Sequence, residues 1–599
     1  MNSQKFENLL NLSLDSTPEE RRRSPSLSLG YDFTKSSWEV IVRYQGTLSF
    51  PEEWGIQITE LLGNYAVLIV PSERMEALAS FPQITYVEKP KRLFFAAYEG
   101  RLASCITQLQ QRPVSTSPGA DTSLYGRGIL VACIDSGVDY THPDFRNADG
   151  TTRLVSYWDQ TLSTGEPPKG YHIGTEFTAS MLNQLLNSGS ASLPPSVLRP
   201  TPDSSGHGTA VLGIAAGNGR ASDGVYRGVA SESMLIAVKL GTPTSTDFPR
   251  TTQLMQALDY VVRYAVSQTL PLAVNLSFGN NYGSHSGDSL LETYINTLAN
   301  YGQNVISIGS GNEGSSGLHA SGSLTEGTQI QEFAVGSYQT SLNIQLWKSY
   351  PDDFDIYLRS PGGTSIGPIR PLGGTQRLRL SDTELLIYYG FPSPYAASQE
   401  IYFDFLPSVG SSYLASGLWQ FRLVPRRITD GGYHLWMPGG ASLGADTRFL
   451  TPSVETTLTI PSTAFLALTV GAYDSRTDTY ADFSGRGFTR ILRTVKPDLV
   501  APGVAITAPR AGKQLSNSQT DHTAGFYGSF TGTSFAAPFV TGSAALLMEW
   551  GILRGNDPYL YGEKVKAYLR KGARQLPGME TPNPRTGWGA LCVRDSLPL

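Results

Sequence analysis

The sequence predicts an α/β fold: a doubly wound parallel sheet, interrupted by an antiparallel β-sandwich and preceded by a small α+β unit. Three observations carry this reading. From about residue 125, short continuous apolar runs alternate with stretches of helical periodicity, as buried parallel strands alternate with their crossover helices. Residues 325–455 instead hold period-2 runs amid many aromatic, Gly and Pro residues, the mark of half-buried antiparallel strands. Residues 38–90 form a third pattern, three strand-like runs and one short helical stretch.

Taken in order, residues 39–44, 65–70 and 84–87 read as strands and 72–80 as a helix, together an independent α+β unit. Residues 128–135 (GILVACID) are a continuous apolar run that ends on a carboxylate. Residues 234–240, 271–279 and 304–312 have the same character. Between them, Leu254, Met255, Leu258, Val261, Val262 and Ala265 recur at helical spacing, and Leu290, Leu291, Tyr294, Ile295 and Leu298 do so again. In such a sheet, functional groups belong at the carboxyl ends of the strands. Residues 343–347, 354–358 and 419–424 alternate as strands of the sandwich, 464–473 resume the buried-strand pattern, and 539–548 form an apolar helix.

Composition excludes several classes. The 599 residues carry 16% charged side chains and 40% apolar ones, enough apolar surface for large cores. A net charge of −5 leaves no domain-wide basic excess to displace counterions from a polyanion, so no nucleic-acid partner is expected. Three cysteines, Cys105, Cys133 and Cys592, lie far apart, which argues against a cysteine-rich zinc site or a disulfide-stapled scaffold. The longest apolar stretches fall short of a membrane span, and the N-terminus lacks an apolar core after a basic start. Neither a membrane partner nor a standard secretory signal is expected, so synthesis in the cytoplasm follows.

Three segments concentrate chemistry. Asp135 ends a buried run in Ile134-Asp135-Ser136-Gly137-Val138, and a carboxylate there needs a partner. Read alone, it is a turn cap. His207 stands in Ser205-Gly206-His207-Gly208-Thr209, ahead of the apolar stripe Ala210, Val211, Ile214 and Ala215. A histidine opening a buried helix is rigidly aimed, as a general base must be. Ser534 lies in Gly532-Thr533-Ser534-Phe535-Ala536-Ala537-Pro538, where small residues before a helix leave a hydroxyl at the positive end of its dipole. Read alone, it is an N-cap serine.

Together the segments resemble the Asp, His and Ser signatures of the subtilisin-like serine proteases (subtilases), in that family's chain order. His142-Pro143-Asp144-Phe145 and residues 497–503 (PDLVAPG) add to the likeness, which covers roughly residues 120–325 and 455–599. The resemblance implies that Ser534 attacks the scissile carbonyl, His207 moves its proton and Asp135 fixes the imidazole. It implies an oxyanion held by Asn312 of Gly311-Asn312-Glu313-Gly314. It also implies substrate paired as a strand along Ser277, Phe278 and Gly279, with Ser310 and Gly311 walling the pocket. Hydrolysis then needs neutral His207, and activity should fall in acid.

His207 and Ser534 lie about 330 residues apart, roughly twice the spacing of a minimal subtilase. The surplus coincides with the sandwich. An internal β-sandwich, an N-terminal α+β unit and no recognised signal together resemble the Csp proteases of spore-forming Clostridia, whose insert is a jelly roll. By that likeness, residues 1–96 are an inhibitory and chaperoning prodomain, 97–324 and 456–599 the two parts of the catalytic domain, and 325–455 the inserted jelly roll, packed against the protease domain. Self-cleavage is expected near Ala96 and Ala97, the cut prodomain staying bound. Protein or peptide substrates, spore association and limited proteolysis of a proenzyme in germination are further expectations. A general degradative subtilase, or a catalytically silent relative acting by binding, stays open as an alternative. The triad requires no cofactor and no metal ligand is assigned. The loop 217–228 is where many subtilases place structural calcium, and Asn218 and Asp223 are the oxygen donors there, few for a shell of six to eight.

Overall fold

The computed structural model describes residues 3–91, 103–110, 123–188, 196–241, 249–372, 374–380, 382–392, 396–512 and 525–598. They divide into two units. The first comprises Met1–Lys91, Asn280–Leu290 and Glu313–Ile460, and the second Arg92–Gly279, Leu291–Asn312 and Pro461–Leu599.

In the first unit, the strand Ser37–Tyr44 sits between Tyr65–Pro71 and Ile84–Glu88, with Gln57–Leu61 beyond, all antiparallel. The strand Gln57–Leu61 escapes the sequence reading because only one short apolar pair marks it. One face is closed by Phe6, Leu10, Met75 and Leu78. Ahead of this sheet lie helices Asn8–Asp15 and Pro18–Arg23. The second starts at Thr17 through a capping box with Glu20 and a proline in its first turn, which satisfies its opening N–H groups.

The insert is a sandwich of two antiparallel sheets. The six-stranded one runs His319–Ser323, Gly432–Trp436, Leu342–Ser349, Ser398–Pro407, Thr383–Tyr389, Thr375–Leu380. The five-stranded one runs Ser365–Ile369, Asp353–Arg359, Gly417–Arg427, Gln329–Val335, Arg448–Phe449. Phe333, Phe403, Phe405, Trp419 and Phe421 cluster between them. On Asp353–Arg359 burial alternates as predicted. It does not on Ser398–Pro407, where every residue is buried.

That exception corrects the expected independence of the N-terminal unit. Ile401, Phe403 and Phe405 point into the sandwich, whereas Tyr402 and Leu406 pack with Leu9, Leu12 and Leu27 of the N-terminal helices. Ser24 Oγ donates to Asp404 (2.6 Å), Asn8 Nδ2 to Glu400 (2.9 Å), and Arg377 pairs with Glu20 (2.8 Å). The N-terminal segment and the insert therefore share one core. Lys89, fully buried, donates to Ser13 Oγ and to the Ser26 carbonyl (both 2.7 Å), and Lys91 pairs with Glu7 (2.8 Å) and Glu88.

In the second unit, the predicted parallel sheet is present. Its order is Leu468–Asp474, Asn304–Gly309, Leu272–Leu276, Leu130–Asp135, Met234–Lys239, Leu154–Asp159, with Leu499–Pro502 also parallel to the first of these and antiparallel strands at the edges. The chain order reverses around Leu130–Asp135, so the crevice at its carboxyl end is the topological switch point. Helices His207–Ala216 and Thr533–Met548 are buried at every residue. One described helix, Thr533–Leu553, is long and apolar enough to cross a membrane, contrary to the sequence expectation. As much as 83% of its most apolar window is buried in the fold, as suits a core helix.

Cysteine pairing also differs from expectation. Cys105 and Cys592 form a disulfide, with Cα atoms 4.9 Å apart across 487 residues of sequence. Cys133 is a buried free thiol, pushed well above its usual range by burial and by Asp135 and Asp203.

Candidate active site

Asp135 is the last residue of a central strand, and His207 the first of a buried helix. The helix starts on Gly206 at φ +70°, and a Cβ on Gly208 would lie 2.1 Å from the Gly137 carbonyl. Only glycine allows that turn and that approach. His207 Nδ1 then lies 2.7 Å from Asp135 Oδ1, which also accepts the Ser136 N–H (2.7 Å). Asp135 is 1% exposed, and its Oδ2 has no hydrogen-bond partner among the described residues. Burial pushes its carboxyl up, and His207 works against that shift. With Nδ1 facing a carboxylate, the tautomer that this contact favours carries its proton on Nδ1. Phe535 packs edge-on against the ring (centroids 4.7 Å).

Ser534 is the second residue of its helix and 4% exposed. Its Oγ donates to the Ser277 carbonyl (2.7 Å), while Ser277 Oγ donates to the Ser534 carbonyl (2.6 Å). The reason lies four residues on. Residue 538 is proline and has no N–H for that carbonyl, so the strand-end serine takes the place of the helical bond. Asn275 Nδ2 holds Ser277 Oγ (2.7 Å), and Thr541 Oγ1 holds Asn275 Oδ1 (3.0 Å).

Asn312 follows the strand Asn304–Gly309. Its Oδ1 accepts from Thr533 N (3.0 Å) and Thr533 Oγ1 (3.2 Å), and Thr533 Oγ1 accepts from Gly311 N (3.1 Å). A backbone N–H can only donate, so this network fixes the amide orientation and turns Nδ2 away from Thr533. Ser277, Phe278 and Gly279 continue the strand Leu272–Leu276. Ser310 is fully buried, its Oγ 3.4 Å from Ser484 Oγ, so it backs the wall that it was expected to line.

The structure thus brings Asp135, His207, Ser534, Asn312, Ser277, Phe278, Gly279, Ser310 and Gly311 into one unit, at strand ends and helix starts. Ala96 and Ala97 lie outside the described residues. A cavity of about 380 Å³ flanks the His207 turn, lined by Asp203, Ser205, Gly206, Arg510 and Phe530. A larger one, about 540 Å³, lies further along both helices, at Ile214 and Phe539, and holds none of the triad.

Of the two expected calcium donors, Asn218 is engaged elsewhere. Asn218 Nδ2 donates to the Arg146 carbonyl (2.8 Å), its Oδ1 accepts Arg220 N (3.2 Å), and Asp223 is exposed. Buried Asp144 accepts from Tyr527 OH (2.8 Å) and Ala221 N (2.9 Å). Among the described residues no group of three His, Cys, Asp or Glu could hold a metal. Asn218 and Asp223 by themselves supply too few oxygens for a calcium shell of six to eight.

Residues 126–390 and 441–589 match the model of the subtilase family. The chain belongs to that family. Residues 4–91 match the Csp protease B prodomain, which ends five residues before the expected boundary at 96. Among solved structures, the chain is similar to the CspB protease of Clostridium perfringens, 34% identical over 84% of this chain and 97% of that one, with a TM-score of 0.72. Among curated proteins it is similar to the minor extracellular protease Vpr of Bacillus subtilis, 23% identical over 80% of this chain and 52% of that protein. It is also similar to the B. subtilis serine protease AprX, 33% identical over 24% of this chain and 32% of that protein. The chain thus spans about half the length of one curated relative and a third of the other.

Proposed function

We propose that this subtilase is a serine endopeptidase that processes its own prodomain and then cuts a proenzyme in a germinating spore. The observation that carries the catalytic reading is the 2.7 Å bond between His207 Nδ1 and Asp135 Oδ1, at the same crevice as Ser534 and Asn312. Ser534 Oγ attacks the carbonyl carbon. His207 takes the proton and passes it to the leaving amine, and Asp135 stabilises the imidazolium. Asn312 Nδ2 and the Ser534 N–H receive the oxyanion, each donor worth roughly 3–4 kcal/mol of barrier. Substrate pairs along Ser277–Gly279 by backbone hydrogen bonds, and its N–H groups compete for the Ser277 carbonyl that Ser534 Oγ now occupies.

Self-cleavage falls near Ala96–Ala97. Retention of the cut prodomain is supported by the core that the N-terminal helices share with the insert, since cleavage beyond Lys91 severs none of those contacts. The germination role rests on the likeness to Csp proteases alone. No cofactor takes part, because every step uses groups already named.

Labelling with a fluorophosphonate probe tests the enzyme reading. Wild type should label and Ser534→Ala should not, and wild-type labelling should survive a metal chelator. Equal labelling of both proteins would remove the triad. No labelling of a folded, self-processed wild type would favour the binding-protein alternative.

A further inference from the structure

Asp203 stands four residues before His207 and is 5% exposed. Its carboxylate accepts five hydrogen bonds. Oδ1 takes Ser136 Oγ (2.8 Å), Gly206 N (3.1 Å) and Ser205 Oγ (3.2 Å), and Oδ2 takes Thr209 Oγ1 (2.7 Å) and Thr209 N (3.0 Å). Two of its partners tie back to the opposite loop. Ser136 Oγ, next to Asp135, accepts Gly208 N (3.0 Å), and Thr209 Oγ1 accepts Asp139 N (2.9 Å). The turn after the Asp135 strand and the start of the His207 helix are therefore laced together through one buried carboxylate. Such a set requires an acceptor-only group, because a carboxamide would turn an NH₂ toward donors.

We propose that Asp203 is a positioning residue of the hydrolytic reaction, setting the Asp135–His207 geometry by bridging their two loops and adding a fixed negative charge behind them. This rests on the triad reading. Charge enters as well as geometry, since Asp203 contributes to the upward push on the Asp135 carboxyl. The other ionisable groups that feel it are Cys133, Tyr157 and Lys239; Asp139 is tied in through Thr209, and Asp159 lies beside Lys239 and Tyr157. With that charge removed, an imidazolium beside Asp135 is held less firmly, and less proton is bound at a given pH.

The test is the rate of fluorophosphonate labelling against probe concentration and pH, normalised to the labelled end point so that misfolded protein drops out. Asp203→Asn should cut the maximal labelling rate roughly tenfold or more, the range for a displaced catalytic pair, with the half-saturating probe concentration within twofold. The acid limb of its profile should move to lower pH. Ser136→Ala, which keeps the charge, should slow labelling by a smaller factor without moving that limb, and it carries the test if Asp203→Asn does not fold. Maximal rates within twofold of wild type for both variants, or an acid limb that moves only with Ser136→Ala, would overturn the proposal. Absence of labelling in wild type would instead overturn the triad reading beneath it.

Discussion

Raising the pH should loosen the unit formed by the N-terminal segment and the insert, through two carboxyls on one strand. Glu400 and Asp404 lie on the same face of Ser398–Pro407, 6% and 0% exposed, each hydrogen-bonded to a neutral N-terminal side chain, Asn8 or Ser24. Burial pushes both carboxyls up to about 7, against ordinary values of 4.5 and 3.8. Around Glu400 stand Glu7, Glu88 and Lys91, and around Asp404 stand Lys89 and Glu20. A folded-state pKa above the unfolded value means that the folded unit holds the proton longer, so stability falls as pH rises from the unfolded value to about 7 and is level beyond. Between pH 5 and 8 each group crosses about two units, at roughly 1.4 kcal/mol per unit. The pair therefore removes on the order of 5 kcal/mol, equivalent to about 10 °C or more in the midpoint of a unit of this size. Asp498, whose carboxyl is held far down against burial by Lys496, Lys566 and Arg570, has the opposite sign but acts only at lower pH, outside this window. The assay is thermal unfolding of the Ser534→Ala chain across pH 5–8, beside the same chain carrying Glu400→Gln and Asp404→Asn. The neutral side chains mimic the protonated forms and should remove this fall, leaving the rise that buried His319 of the insert, held down to about 3 by burial, contributes up to its unfolded value of 6.5. An unchanged slope in the double variant would refute the reasoning.

Three further outcomes follow from the geometry. Wild type should run as two bands on a denaturing gel and elute as one species, with Ser534→Ala full length; clipping of the serine variant at the same bond would exclude self-processing. Ser277→Ala should cost about 1–2 kcal/mol of stability by removing a donor from the buried Ser534 carbonyl. Adding Pro538→Ala, which restores the helical N–H, should recover part of that loss, as unfolding free energies of the single and double variants will show. Cys105→Ser should lower the unfolding free energy by roughly 2–4 kcal/mol, and a Cys105–Cys592 cross-linked peptide should be found by mass spectrometry without reductant.

Legibility in the sequence followed the length over which a signal repeats. The parallel strands were readable because burial on both faces writes a continuous apolar run, and residues 128–135 end it on a carboxylate. Part of the sandwich is readable from alternation, as on Asp353–Arg359, but Leu342–Ser349, Thr383–Tyr389 and Ser398–Pro407 are buried almost throughout, the last because N-terminal helices cover its second face. Those helices were obscure for a physical reason. Asn8–Asp15, Pro18–Arg23 and Pro25–Ser28 are short, and Leu9, Leu12 and Leu27 become a core only against Tyr402 and Leu406, nearly 400 residues away. The Cys105–Cys592 bond was hidden by the same distance. Asp203 was missed for the opposite reason: an aspartate before Ser-Ser-Gly has the local signature of an ordinary turn. A sign was available in its spacing, four residues ahead of a histidine that opens a helix.

Every proposed catalytic group sits where regular backbone bonding stops. Asp135 and Asn312 end or follow strands, and His207 and Ser534 open helices, so the N–H and C=O groups around them lack the partners that strand or helix interiors provide. In this chain most of those groups are taken up by side chains: Ser136 and Thr209 at the His207 turn, Thr533 at Asn312, Ser277 at the Ser534 carbonyl that Pro538 frees. Each such bond fixes a direction as well as satisfying a polar atom. Asn312 Nδ2, turned away from Thr533, and the Ser534 N–H are the two donors proposed above for the oxyanion. The same rule explains why substitutions that leave the triad intact should still slow it. The groups that aim the catalytic side chains are the ones that tie two helix starts to three strand ends.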